Sequence, residues 1–149
     1  MAVRVQSEAF DAAAEMAALT AGREDIGAVA SFTGLVRGGA IRAMTLEHYP
    51  GMTERALAAI EAEAHRRWPL KASLIVHRVG RLLPGEPIVL VAAASEGRHA
   101  AFEAAAFLMD YLKTDAPFWK NEERADGTSN WVDARETDGT AKARWMITT

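Results

Sequence analysis

Two lysines, Lys113 and Lys120, flank a stretch of proline and aromatic residues and could act as bases, nucleophiles or anion ligands. Reading back from Lys113, the residues Met109, Ala106 and Phe102 have the spacings that stack on one face of a helix. A lysine in line with that stripe either extends into solvent or keeps its amine in a poorly hydrated pocket, where burial lowers its pKa. Lysine also complements the dipole at a helix C-terminus, so a structural and a catalytic role both stay open.

Two arginines lie at positions typical of anion binding. Arg37 ends a predicted buried strand and precedes Gly38-Gly39, where exposed N–H groups and a guanidinium can hold a phosphate. Arg98 follows a predicted central strand at a helix N-terminus, where the dipole favours anions and a cation does not stabilise the helix. A plain hairpin and a solvated first turn are the alternative explanations. We predict that these arginines and the two lysines form one cationic pocket for a phosphorylated or carboxylate-bearing ligand.

The composition is that of an ordinary globular protein. The chain has 149 residues, of which 50% are hydrophobic and 25% charged, and this predicts a single domain over residues 1–149. The net charge of −3 argues against nucleic-acid binding. No apolar run is long enough to span a membrane, and the first residues lack the pattern of a secretory signal, so we expect a cytoplasmic protein.

Cysteine is absent, which excludes disulfides, thiolate metal ligands and a sulfur relay through cysteine within this chain. The four histidines, His48, His65, His77 and His99, form no pair at the spacing of a zinc site. The sequence therefore predicts no metal.

Hydrophobic periodicity and turn residues predict an α+β fold with a mixed or antiparallel sheet and about three helices. Ser7 is the predicted cap of the first helix and Thr53 that of the second, whereas residues 121–130 are a predicted loop. Residues from about 136 onward are expected to be either mobile or docked. The predicted strands are 2–6, 27–36, 44–49, 72–79, 88–94 and a short one at 131–132, with helices at 7–19, 53–68 and 98–113.

Several blocks of the chain are similar to one known family. They are Phe32–Arg37, Leu46–Met52, His77–Gly80, Ala101–Ala104, Met109–Thr114, Ala116–Lys120 and Trp131–Arg135, in that order. Together they resemble the MoaE family, the large, catalytic subunit of molybdopterin synthase. The blocks Glu47–Met52 and Leu112–Lys120 are the most specific of these.

The resemblance implies an α/β-hammerhead-like fold and a sulfur-transfer reaction. The family converts cyclic pyranopterin monophosphate to molybdopterin and holds no permanently bound cofactor. The sulfur arrives as a thiocarboxylate on the C-terminal glycine of a small ubiquitin-like partner that ends in Gly-Gly. The large subunit forms a self-dimer, so that the assembly is a heterotetramer. Sulfur carried by a partner agrees with the absence of cysteine from this chain.

The resemblance also implies roles for particular residues of this chain. Lys113 and Lys120 align with the family's essential lysines, the first for acid–base work or amine capture at the acyl carbon, the second for binding pterin or thiocarboxylate. The implied substrate-binding residues are Leu35, Val36, Arg37, Gly97, Arg98, Lys113, Lys120, Asn121, Glu122 and Arg135.

One position departs from the family pattern Ser-Ala-His-Arg at the entry to the third helix. Gly97 stands where the family has histidine, and His99 is two residues away, a rotation of about 200° on a helix. The departure leaves open a catalytically weakened homologue that acts as a partner- and pterin-binding module. A third hypothesis is an unrelated enzyme that forms a Schiff base through Lys113.

Overall fold

The computed structural model describes residues 1–132 and 136–146, and within them two four-stranded sheets and four helices. The strands are β1 (Val3–Gln6), β2 (Ala28–Leu35), β3 (Ile41–His48), β4 (Leu70–Arg78), β5 (Gly80–Leu82), β6 (Pro87–Ser95), β7 (Phe118–Arg124) and β8 (Ser129–Val132). The helices are α1 (Ala12–Thr20), α2 (Met52–Arg67), α3 (Arg98–Asp115) and α4 (Glu136–Ala143).

The first sheet has the strand order β1-β4-β6-β2 and is mixed. β1 runs parallel to β4, whereas β4 and β2 both pair antiparallel with β6. The apolar run of β6, between the Pro84-Gly85 turn and Ser95, is buried over its last seven residues, as expected of a central strand. The turn itself has Gly85 at φ 89°, a conformation that glycine adopts without strain. The predicted central strand is therefore confirmed.

β2 is not buried on both faces, contrary to the sequence prediction. It lies at the edge of the first sheet, where β6 is its one partner among the described strands, and the side chains of Phe32 and Leu35 are 44% and 55% exposed. An apolar run cannot distinguish a central strand from an edge strand whose apolar side chains stay accessible.

The second sheet is antiparallel, with the order β5-β3-β7-β8, and it replaces the loop predicted over 121–130. β7 and β8 are joined by a tight turn in which Gly127 has φ 90° and the Thr128 N–H donates to the Asp126 carboxylate at 2.9 Å. The prediction was wrong because β7 is rich in charged residues, which are uncommon in strands.

The core lies on the face of the first sheet that α2 and α3 cover. Leu57 and Ile60 of α2 meet Phe107 and Leu108 of α3 over Val91 of the sheet. α2 follows the predicted periodicity, with Leu57, Ile60 and Ala64 buried, and α3 begins at Arg98 as predicted. The predicted caps differ from those observed: Asp11, not Ser7, accepts from Ala14 N at 3.1 Å, and Gly51 precedes α2.

The C-terminal segment is docked as far as residue 146. Trp145 is buried in the main core, and its Nε1–H donates to an Asp110 carboxylate oxygen at 2.6 Å. Lys142 forms an ion pair with Asp115 at 2.6 Å. α4 is therefore a fourth helix, and it packs against the C-terminal half of α3.

The α+β class expected from the sequence is confirmed, with the strands divided between two sheets. None of the helices within residues 1–132 and 136–146 is apolar over enough length to traverse a lipid bilayer.

Candidate active site

A cavity of about 660 Å³ lies where the two sheets meet the C-terminal end of α3. Its size is within the range of small-molecule binding sites. It is lined by the segment after β2, by the inner faces of β3 and β7, by the ends of β4 and α3, and by single residues of β6 and β8. The lining side chains that can carry charge or accept hydrogen bonds are Arg37, His77, Lys113, Lys120, Glu122 and Arg124.

β7 contributes alternate side chains to the cavity. Phe118, Lys120, Glu122 and Arg124 line it because successive side chains of a strand point to opposite faces. The register against β3 places Lys120 opposite Leu46 and Glu122 opposite Met44, two residues of a small apolar cluster. The Lys120 Nζ and a Glu122 carboxylate oxygen are 3.9 Å apart. The predicted site residues Lys120 and Glu122 therefore lie in one cavity.

Lys113 reaches the same cavity from the last turn of α3, where a lysine also complements the helix dipole. The residue is exposed in the single chain, and the helix face in line with it is not the buried one. The buried stripe of α3 contains Ala101, Ala105, Leu108 and Leu112, each one position away from the stripe expected from the sequence. Phe102, a member of the expected stripe, is 65% exposed. Of the two alternatives that the sequence left open for Lys113, the single chain shows the accessible side chain, at the wall of the cavity.

The predicted residues at the end of β2 also line the cavity. Val36 is buried, and its N–H donates to the Glu86 carbonyl at 2.9 Å, which fixes the backbone where the chain leaves the first sheet. Leu35 and Arg37 are exposed at the same wall. Arg37 thus joins Lys113, Lys120 and Arg124 as a cation of the cavity.

Among the residues that the structure describes, three predicted site residues do not line this cavity within one chain. Gly97 and Arg98 lie at the N-terminal end of α3, about 22 Å along the helix axis from Lys113. Asn121 pairs with Trp131 and belongs to the face of β7 opposite to the cavity. Arg135 lies outside the described residues. The predicted gathering of all four cations is therefore corrected, because Arg98 is too distant from Lys113 in the same chain.

His77 is a cavity residue to which sequence reasoning assigned no role. Its ring stacks on Phe118 with centroids 3.8 Å apart and planes 17° from parallel. Its Nδ1 lies 2.8 Å from the Arg78 carbonyl oxygen. Burial, together with the positive charges of Lys113 and His48, lowers the pKa of His77 to about 4, although the hydrogen bond to the Arg78 carbonyl acts in the opposite direction. The sequence did contain a signal for His77. The residue lies near the end of an apolar strand and is the first residue of one of the blocks that resemble the family.

The charges of the cavity favour an anionic ligand. Four cationic side chains and one carboxylate face it in a chain whose net charge is −3, so the positive potential is local. Across residues 1–132 and 136–146, no three His, Asp or Glu side chains are placed to hold a metal ion. The arrangement can bind a phosphate or carboxylate and offers amines for proton transfer.

Comparison with known proteins gives a consistent family. A model of the MoaE protein family matches residues 5–115. A molybdopterin synthase catalytic subunit from Mesorhizobium japonicum is 60% identical over 146 residues, which cover 96% of this chain and 92% of that protein. A solved structure of the molybdopterin biosynthesis MoaE protein from Burkholderia ambifaria is 55% identical, has a TM-score of 0.84 and covers 99% of this chain and 100% of that one.

A more distant structure shares the fold. It is described as a protein–protein complex of subunits 1 and 2 of molybdopterin-converting factor from Helicobacter pylori, with 20% identity and a TM-score of 0.70 over 90% of each chain. The family match extends over most of this chain, and the Mesorhizobium relative matches it almost from end to end. With its cationic cavity between two sheets, the chain belongs to the MoaE family, as the resemblance in its sequence blocks predicted.

Proposed function

We propose that this chain is the catalytic subunit of a molybdopterin synthase and converts cyclic pyranopterin monophosphate to molybdopterin in the cytoplasm. The observation that carries this proposal is the convergence of Arg37, Lys113 and Lys120 on one cavity of about 660 Å³. A cyclic phosphate and a carboxyl terminus are both anions, and guanidinium and ammonium groups bind such groups by charge-assisted hydrogen bonds. The relatives' shared name and their high identity support the same reaction.

The sulfur comes, in this proposal, from the C-terminal thiocarboxylate of a small ubiquitin-like partner that ends in Gly-Gly. The chain has no cysteine that could carry sulfur itself. The relatives are named as subunits, and a protein of the same fold was solved as a two-subunit complex. An extended diglycine tail is narrow enough to enter a cavity between two sheets, because glycine has no side chain.

Lys113 and Lys120 have different tasks in the proposed reaction. Lys113 acts as general acid and base, or captures the acyl carbon transiently, while Lys120 holds the pterin or the thiocarboxylate. Lys113 is exposed in the single chain, so entry of the partner's tail is the step that would exclude water from its amine. Desolvation then disfavours the ammonium form and makes the amine reactive.

We further propose a self-dimer, and hence a heterotetramer with two partner subunits. Arg98 lies about 22 Å from Lys113 along α3 in one chain. A substrate contact by Arg98 at the lysine site therefore requires a second copy of the chain.

The alternative function is a binding module that has lost turnover, and the observation that favours it is Gly97. This glycine takes the place of the family's histidine at the start of α3. A module of this kind would keep the cavity and the partner surface but form no dithiolene.

The test combines the chain with a thiocarboxylated partner ending in Gly-Gly and with cyclic pyranopterin monophosphate, and measures dithiolene product. We expect product with the wild type and a loss of at least about 100-fold with Lys113→Ala, the size of a general acid–base contribution. Lys71→Ala is the matched control, because Lys71 is exposed on β4 and does not line the cavity. Complex formation without product from the wild type would instead support the binding module.

A further inference from the structure

We propose that His77 is a specificity-determining residue of this cavity, whose unprotonated Nε2 accepts a hydrogen bond from an N–H group of the pterin ring. The inference rests on the proposed function, and it adds a substrate contact to the cationic residues already assigned. It is carried by the tautomer of the ring, the accessibility of Nε2 and the shape of the surrounding wall.

The tautomer follows from the hydrogen bond at Nδ1. The Arg78 carbonyl oxygen, 2.8 Å away, can only accept, so Nδ1 carries the proton. The imidazole is neutral near pH 7 because burial, together with the charges of Lys113 and His48, disfavours its cation. A neutral imidazole with Nδ1 protonated has a lone pair on Nε2. His77 is therefore fixed as a hydrogen-bond acceptor.

Nε2 faces the cavity. Each fully buried side-chain nitrogen and oxygen in the described part of the chain has a hydrogen-bond partner. The Nε2 atom of His77 has no hydrogen-bond partner among these residues, because the hydrogen bond of this side chain is made by Nδ1. Nε2 is therefore not fully enclosed, although the residue as a whole is only 5% exposed. Because His77 lines the cavity, the accessible part of its ring opens there.

The wall around His77 suits a flat heterocycle. The near-parallel stack with Phe118 holds the imidazole in one orientation. Ile88, Leu112 and Ala116 line the same cavity and are apolar. A pterin ring can bury its faces on such a wall while its edge, which carries several N–H donors, meets Nε2. The glycine tail of the partner has no flat surface of this kind, and its acyl carbon is assigned to Lys113.

The rest of the cavity supplies mainly donors. Arg37, Lys113, Lys120 and Arg124 can only donate when charged, and the carboxylate of Glu122 lies 3.9 Å from the Lys120 ammonium. A ligand with a phosphate at one end and N–H groups at the other matches cations along β7 and a neutral acceptor beside Phe118. A ligand without the donor would leave Nε2 desolvated and unpaired, which a polar site rejects strongly.

The first test uses the full chain and compares two variants. His77→Phe keeps a ring against Phe118 but has no acceptor, whereas His77→Gln places an amide oxygen near the position of Nε2. We expect His77→Phe to weaken binding of cyclic pyranopterin monophosphate at least tenfold by calorimetry, with His77→Gln recovering most of the loss. Affinity for the Gly-Gly partner should stay within twofold. Unchanged pterin affinity, or a loss confined to partner binding, would overturn the inference.

The second test needs no variant and so does not depend on whether His77→Phe folds. The ¹⁵N resonance of Nε2 in the wild-type chain is followed while cyclic pyranopterin monophosphate is added. We expect it to move upfield on saturation, as an acceptor nitrogen does when it gains a hydrogen bond. If the wild type makes dithiolene and this resonance does not move, the contact is wrong and the proposed function stands. Wild type without product would contradict the function itself.

Discussion

The reactive groups of this chain owe their properties to their immediate neighbours. Lys113 and His77 line the same cavity, yet the lysine is exposed and the histidine is enclosed against Phe118. Burial keeps His77 neutral, so it accepts hydrogen bonds, whereas the exposed Lys113 depends on a bound ligand to lose its water. The two residues therefore offer different chemistry within one site.

The buried imidazole makes stability depend on pH. The pKa of His77 is lowered from 6.5 to about 4 in the folded chain, so between these pH values the unfolded chain binds the extra proton. Stability contributed by His77 is full above pH 6.5 and is lost as pH falls, by about 3 kcal/mol in total. Urea unfolding at pH 7 and pH 4 should show a larger loss of stability in wild type than in His77→Gln, because His65 and Glu63 also titrate with lowered pKa values in both proteins and only the difference reports His77. His99→Gln, at an exposed position of α3, is the control and should behave as wild type.

Gly97 can be tested by restoring the family's side chain. A Cβ added at Gly97 meets no atom within 4 Å, and its φ of −126° is an ordinary extended value, so Gly97→His should fold normally. We expect its melting temperature to equal that of the wild type. Its rate of dithiolene formation should lie within twofold of the wild-type rate. A rate at least tenfold higher than wild type would favour the catalytically weakened homologue.

At the scale of elements, β7 brings most of the site together. Its alternate residues face the cavity, and its register with β3 places Lys120 and Glu122 opposite Leu46 and Met44. Its hairpin with β8 adds Val132 to the cavity lining. α3 brings Lys113 to the same place, and the end of that helix is held by Lys142 of α4 through Asp115 and by Trp145, just after α4, through Asp110. The position of Lys113 thus depends on contacts between the C-terminal segment and α3 that lie outside the cavity.

The docking of the C-terminal segment on α3 can be tested at Trp145. Trp145→Ala removes a buried ring from the main core and leaves Asp110 without its indole donor, so we expect a loss of about 3–5 kcal/mol in the free energy of unfolding. Trp131→Ala is the matched control, because Trp131 is 56% exposed, and it should change stability by less than about 0.5 kcal/mol. Equal stabilities for the two variants in urea titrations would contradict the docking of the C-terminal segment.

Elements with strong local signals were predictable from sequence. α3 and β6 have breakers at their ends and a clear apolar pattern, and both were found where expected. β7 was missed because its inward residues Lys120 and Glu122 face a polar cavity, so the alternation of apolar and polar residues is absent. The pairing of β7 with β3 joins residues some 75 positions apart, and no local pattern encodes it. The set of cationic side chains that converge on the cavity could therefore be identified only from the three-dimensional structure.

At the scale of the whole molecule, a chain of net charge −3 concentrates positive charge between its two sheets. Such a local field attracts an anionic ligand. Family membership, inferred from sequence blocks, is confirmed by the family model and by relatives at high identity. The predicted gathering of Arg98 with the lysines does not occur within one chain, because Arg98 and Lys113 lie at opposite ends of α3.

The central claim is that Lys113 and Lys120 serve one reaction in one cavity. The most direct measurement is a double-mutant cycle on dithiolene formation with Lys113→Ala, Lys120→Ala and the double variant, with the thiocarboxylated partner present. Residues that act together in one site are strongly non-additive, so we predict that the double variant is about as slow as the slower single variant. Losses that multiply as for independent sites, or a Lys113→Ala variant at the wild-type rate, would contradict the account.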